Sequence, residues 1–205
     1  MHVSDHVGCA RFPCTDVRHD RHVIPSVSVK LRDVSIILIS EAAPADLDDY
    51  YYAQGNPLFQ QTTVQAFNDA GAEVKSIKDI IGLGVYLTTA VKCGKTGYGI
   101  QAGSIEECSR ILEQELALFP NVRVLMLMGD VAIKAVNHIA RRAGEGRVIP
   151  AGSTYKLRGR QYFFQGKRVF PSYLQAGPSF FIEKSKRTMI VQDIAAALKI
   201  ISTSI

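Results

Sequence analysis

The 205-residue sequence contains no apolar run approaching the ~18 residues that a membrane span requires, which excludes a helical membrane protein. The start of the chain carries His and Asp but no apolar core segment, so no secretory signal is expected and a cytoplasmic location is. Internal repeats and low-complexity tracts are absent, and the length is too short for two ordinary domains, so a single domain over residues 1–205 is expected. Cysteine is scarce, with four residues (Cys9, Cys14, Cys93 and Cys108). In a cytoplasmic protein these are not expected to form disulfides.

Hydrophobic residues make up 47% and charged residues 21%, a composition that can fill a core and argues against disorder. Lys and Arg number 24 against 19 Asp and Glu, a formal charge of +5. A basic surface attracts phosphate backbones through counterion release. The cations concentrate at 141–147, 156–168 and 184–187, all in the last third of the chain.

The first 33 residues are polar and read as irregular. Residues 34–40 form a β-branched apolar run of the kind buried on both faces of a sheet. A helix is expected over 57–70, stopped by Gly71, and a second strand over 85–92. Ser104 and Glu107 have capping-box spacing and predict a helix from there to about Leu118. A third strand at 122–128 runs into Gly129-Asp130 and a helix, a unit whose free N–H groups suit an anion or simply a tight turn. Residues 155–170 read as short antiparallel strands, and a closing helix spans about 184–201. Strands alternating with helices predict a three-layer α/β/α domain around a mostly parallel, four-stranded sheet. Ligands in such sheets sit at the carboxyl ends of the strands, here the segments 40–46, 88–93 and 129–130.

The cysteines admit three readings: unrelated buried thiols, a zinc site, or an iron–sulfur cluster, which takes four thiolates. A glycine-rich loop between Cys93 and Cys108 could wrap such a group. Tyr86-Leu-Thr-Thr-Ala-Val-Lys-Cys93 closely resembles a segment of the iron–sulfur uracil-DNA glycosylases, in which a second cysteine follows at nearly the distance of Cys108. Five further segments resemble that family in the same order: Ser40-Glu-Ala-Ala-Pro44, Gly55-Asn-Pro-Leu-Phe59, Val124 through Ala132, Phe170-Pro-Ser-Tyr-Leu174 and Val191-Gln-Asp-Ile194.

The resemblance implies a 4Fe–4S cluster on Cys9, Cys14, Cys93 and Cys108, with zinc as the alternative, and DNA as partner of a monomer. It implies a base pocket of Ala42, Ala43, Tyr52, Phe59, Thr89 and Phe170, with Phe59 stacking on the base. Glu41 is the first choice for orienting water, with Asp46 as an alternative carboxylate, and Asp48 and Asp49 as solvated acids. DNA contacts fall to Gly129, Asp130, Pro171, Ser172, Lys184, Lys186 and Arg187. Two positions depart from the family: its base-reading asparagine is Thr89, and its histidine before Pro-Ser is Phe170. A hydroxyl lacks the fixed donor–acceptor plane of an amide, and a phenyl ring cannot stabilise a departing base. Ser172, Lys167 or Arg168 would then have to serve as electrophile. The implied activity is hydrolysis of the N-glycosidic bond of a deaminated or damaged base in DNA. A catalytically weak DNA-binding relative is one alternative, and a zinc-containing α/β enzyme acting on a phosphorylated small molecule is another.

Overall fold

The structure, a computed structural model, describes residues 2–97 and 99–202. Its strands are β1 (Val17–Arg18), β2 (Ile36–Ala43), β3 (Val85–Lys95), β4 (Val124–Met128), β5 (Tyr162–Phe164) and β6 (Lys167–Ser172). Its helices are α1 (Leu58–Asp69), α2 (Ile77–Gly82), α3 (Ala102–Ala117), α4 (Asp130–Arg142), α5 (Thr154–Leu157), α6 (Ser179–Ile182) and α7 (Lys184–Ser202). The sheet order is β1-β3-β2-β4-β6-β5. The four inner strands are parallel, and β1 and β5 add antiparallel edges to that core.

The period of two explains the layering. Ile37 and Ile39 of β2 pack with Ile105, Leu112, Val136 and Ile139 of α3 and α4 on one face. Ile36 and Leu38 pack with Phe67, Ile80 and Ile194 of α1, α2 and α7 on the other. Burial on both faces is why β2 and β4 read as unbroken apolar runs. The result is the expected three-layer α/β/α arrangement.

Several local expectations change. Helix α3 begins at Ala102 rather than at Ser104, because its first turn is held from outside: Asp16 accepts the Gln101 N–H (2.6 Å) and the Ser104 hydroxyl. The start of the chain therefore supplies the cap. Strand β3 runs on to Lys95, so residues 88–93 lie within the sheet and the loop begins later. The antiparallel reading of 155–170 holds for the β5–β6 hairpin, turned at Gln165 and Gly166 with φ of 48° and 76°. Residues 154–157 form α5 instead, and β6 pairs in parallel with β4. Helix α2, capped reciprocally by Ser76 and Asp79, adds an element beyond those expected.

One polar cluster lies inside this apolar frame. Lys92 on β3 and Glu115 on α3 are both fully buried and form an ion pair. The Lys92 ammonium also donates to Thr88 Oγ1 (2.7 Å) and to the Thr89 carbonyl (2.6 Å), so all three of its N–H groups have acceptors. Glu115 accepts in addition from the Tyr86 hydroxyl (2.7 Å) and from Thr88 (2.9 Å). Removing one member strands the other charge in the core. Lys92→Met should lower unfolding free energy by about 3–5 kcal/mol, and the double variant Lys92→Met/Glu115→Leu should recover most of that loss. Urea titrations of the four proteins check this, and simple additivity of the two single losses would contradict it.

Candidate functional site

At the carboxyl edge of the sheet three chain segments converge: 41–45 at the end of β2, 95–97 at the end of β3, and 174–179 after β6. With Asp49, Leu58 and Phe59 they line a cavity of about 620 Å³. The position is the one expected for ligands of parallel sheets. The third segment is pinned from below by Gln175, fully buried, whose amide donates to the Tyr51 hydroxyl (2.8 Å) and to Ser40 Oγ (3.2 Å). Tyr51 in turn bonds Ser40. Gly177 N–H reaches Thr62 Oγ1 (3.3 Å), which ties the loop to α1. These bonds hold Ala176, Gly177, Pro178 and Ser179 against the cavity.

Glu41 stands at the end of β2 where that cavity meets a second one of about 280 Å³, lined also by Gly129, Tyr173, Phe180 and Lys186. Its carboxylate lies over the N-terminus of α4, with the Val131 N–H at 3.5 Å. Gly129 makes this approach possible. Its φ is 106°, and a Cβ there would come within 2.6 Å of Glu41 Oε1. The anion site foreseen at Gly129-Asp130 is thus filled by the protein's own carboxylate, and the Asp130 side chain pairs with Lys134. The Gly129 N–H is taken by the Ser172 carbonyl (3.0 Å).

Ala42, Ala43 and Phe59 line the main cavity beside Glu41, and the Phe59 ring packs on Tyr51 at 5.3 Å. Asp46 does not line it; its carboxylate accepts the Asp48 N–H within a turn. Asp49 does, while capping Leu58 N (3.2 Å). Tyr52 donates to the Leu87 carbonyl (2.8 Å), away from the opening. Thr89 is fully buried beside Tyr50, away from the cavity, and neither hydroxyl makes a well-formed hydrogen bond among the described residues. Burial pushes the Tyr50 hydroxyl pKa well up.

The Phe170-Pro171-Ser172 segment lies in β6 and is buried. Phe170 pairs with Met126 of β4 and packs under the Arg168 guanidinium at 4.3 Å. Ser172 is fully buried and donates to Asp193 (2.6 Å), which Arg158 holds at 2.8 Å. A residue so enclosed can contact neither base nor phosphate. Lys167 lies toward the opposite end of the sheet, beside Phe119, and Arg168 is spent on the carbonyls of Arg160, Tyr162 and Val169. Lys186 and Arg187 pair with Glu183 and Asp69, and Lys184 is exposed.

Sequence reasoning missed Lys95, the cation among the described lining residues, and the Pro178-Ser179 pair. The signal was present: a second Pro-Ser dipeptide seven residues after the one chosen.

The cysteines meet at a separate corner, where Cys9, Cys14, Cys93 and Cys108 line one cavity of about 310 Å³ together with Phe12, His19 and His22. The Phe12 N–H donates to Cys9 Sγ (3.3 Å) and the Lys92 N–H to Cys108 Sγ (3.2 Å). Phe12, at φ 45°, makes the sharp bend between Cys9 and Cys14. Burial, then the neighbouring thiols, pushes Cys93 up to about 12; burial raises Cys108 to about 11. Among the described residues no three His, Cys, Asp or Glu side chains are gathered as a single metal ion would need.

A mostly parallel sheet layered between helices, with a pinned carboxylate and an aromatic ring in a cavity at its carboxyl edge, defines an α/β protein with a candidate ligand site there. The model of the uracil DNA glycosylase superfamily matches residues 29–195, and the chain belongs to that superfamily. It is also similar to a Type-5 uracil-DNA glycosylase of Thermus thermophilus, with 32% identity over 95 residues, 46% of this chain and 43% of that relative. The match thus spans less than half the length of that relative.

Gly129→Ala should cost about 1–3 kcal/mol, from a positive φ and the clash with Glu41. Adding Glu41→Ala should relieve part of that loss, because the clashing atoms belong to Glu41. Thermal unfolding of the three variants checks this, and strictly additive losses would show that the contact is not the cause.

Proposed function

We propose that the protein is a DNA base glycosylase acting at the 620 Å³ cavity. The observation that carries the reading is Glu41, held over the α4 N-terminus at the cavity wall and facing the same space as Phe59. A base in a duplex must be turned out of the stack to be reached. Phe59 supplies a face for it to stack on. Glu41 orients a water toward C1′ of the sugar and takes its proton as the new O–C1′ bond forms. The C1′–N bond breaks with its electron pair leaving on the base, and Lys95 supplies a positive charge where that anion develops. The exposed Ser179 hydroxyl at the rim of the cavity donates to a phosphate of the bound strand. The base is left open, because Thr89 is closed off from the cavity and the lining is mostly aliphatic.

That closure also favours a second reading, a relative that binds DNA with little or no excision. Incubation with duplexes bearing uracil, hypoxanthine or other deaminated bases separates the two. Release of free base, reduced by roughly 10²–10⁴ in Glu41→Gln with DNA affinity kept, supports the first. Salt-dependent DNA binding without release of any lesion supports the second.

The four cysteines line one cavity of about 310 Å³, and four thiolates around such a space suit an iron–sulfur group. When bound, such a group would tie the start of the chain to β3 and α3; no step of the hydrolysis is assigned to it. Anaerobically purified protein should be brown and carry iron and acid-labile sulfide in equal amounts. Because the ligands must be thiolates and the Cys93 and Cys108 thiols sit well above neutral, loading should strengthen as pH rises. Cys14→Ser should lower iron content and thermal stability together. A colourless protein with stoichiometric zinc would contradict the assignment.

A further inference from the structure

The cations at 141–147 play no part in the site described above. Arg141, near the end of α4, and Arg147, in the following loop, line a groove of about 270 Å³. Both are exposed, and among the described residues neither makes an ion pair or a side-chain hydrogen bond. Their neighbours behave differently: Lys134 is paired with Asp130, and Arg142 with Glu113. The loop is fixed in place. The Asn137 amide clasps both the N–H (3.0 Å) and the carbonyl (2.9 Å) of Ile149, so Arg147 projects from a tethered backbone.

The groove is continuous with the candidate site. It shares Asp130 and Thr154 with the 280 Å³ cavity, which shares Glu41, Leu174 and Ser179 with the main one. Thr154 lines both spaces, and the residue that follows it in α5, Tyr155, is 69% exposed. An exposed aromatic ring next in chain to the wall of a narrow groove lined by free arginines suits single-stranded nucleic acid. Bases stack on the ring, and the backbone follows the charge. In a paired flank the bases are already stacked and have no face to give.

We propose that this groove carries an unpaired flank of the DNA strand, with phosphates at Arg141 and Arg147 and a base on Tyr155. The helical rise from Asp130 to Arg141 is about 16 Å, a span of a few nucleotides of an unpaired strand. The proposal rests on the base-excision reading and adds to it a preference for lesions beside unpaired DNA.

The test is fluorescence anisotropy with labelled uracil-bearing duplexes, either blunt or carrying an unpaired tail of about six nucleotides next to the lesion on either side. Wild-type protein, Arg141→Ala/Arg147→Ala and Tyr155→Ala are compared across a salt series. Wild type should bind one tailed substrate at least about fivefold tighter than the blunt one. Its log K against log salt slope should be steeper there by about 1.4, the release expected for two single-strand phosphates. Both variants should lose the tail-dependent affinity, the arginine pair should also lose the extra slope, and release from blunt DNA should be unchanged. Equal binding of tailed and blunt DNA by wild type, or variants that keep the gain, would overturn the groove assignment. So would an equal arginine effect on blunt DNA. In each of these cases, continued base release by wild type leaves the glycosylase reading standing. Absence of both binding and release in wild type would defeat that reading and the groove with it.

Discussion

The buried ion pair between Lys92 and Glu115 ties together the parts of the molecule on which everything else rests. It fastens β3 to α3 through a set of hydrogen bonds in which Tyr86, Thr88 and the Thr89 carbonyl complete each partner's needs. Taking two charges out of water is costly, and only saturation of this kind offsets it. Cys93 follows Lys92 directly, the Lys92 N–H donates to Cys108, and Cys108 lies two turns before Glu115 on the same helix. The corner where the cysteines meet and the charged core are therefore one rigid unit. Beyond Cys93 the same strand continues to Lys95 at the cavity.

The opposite wall of the cavity is built with neutral groups. Gln175, Tyr51 and Ser40 form a buried set of hydrogen bonds beneath it, and the 174–179 loop is fixed as a result. Glu41 is positioned by a third device, a helix N-terminus brought close by a glycine that no side-chain-bearing residue could replace without a clash. Each wall is thus set by a different kind of interaction. That division explains how a mostly aliphatic cavity keeps one carboxylate in a defined place.

The architecture was legible in the sequence because doubly buried strands carry no alternation and the helices between them carry clear apolar stripes. β2, β4, α1, α4 and α7 were readable on that basis. The edges were not: β1 is two residues long, and α5 is a single turn in a region rich in strand formers. The start of α3 was misplaced because its cap, Asp16, comes from 85 residues upstream of Gln101, and local spacing cannot show that.

The site was legible only where a motif and a strand end coincide. Glu41, Ala42 and Ala43 do so at the end of β2, and Phe59, from a motif at the start of α1, reaches the same cavity. Thr89 and Ser172 belong to motif-like segments, but their side chains point into the core, where Tyr50 and Asp193 lie. Motif matching carries no information about which side of a strand faces a ligand. Pro178-Ser179 was passed over because an earlier Pro-Ser stood closer to the expected position. The most direct measurement is a structure of the protein bound to duplex DNA carrying an uncleavable analogue of a damaged nucleotide. The base should be turned out of the stack against Phe59 at about 4 Å, with a water between Glu41 and C1′ at about 3 Å from the carboxylate. A base left stacked in the duplex, or bound away from Phe59 with Glu41 unengaged, would contradict it.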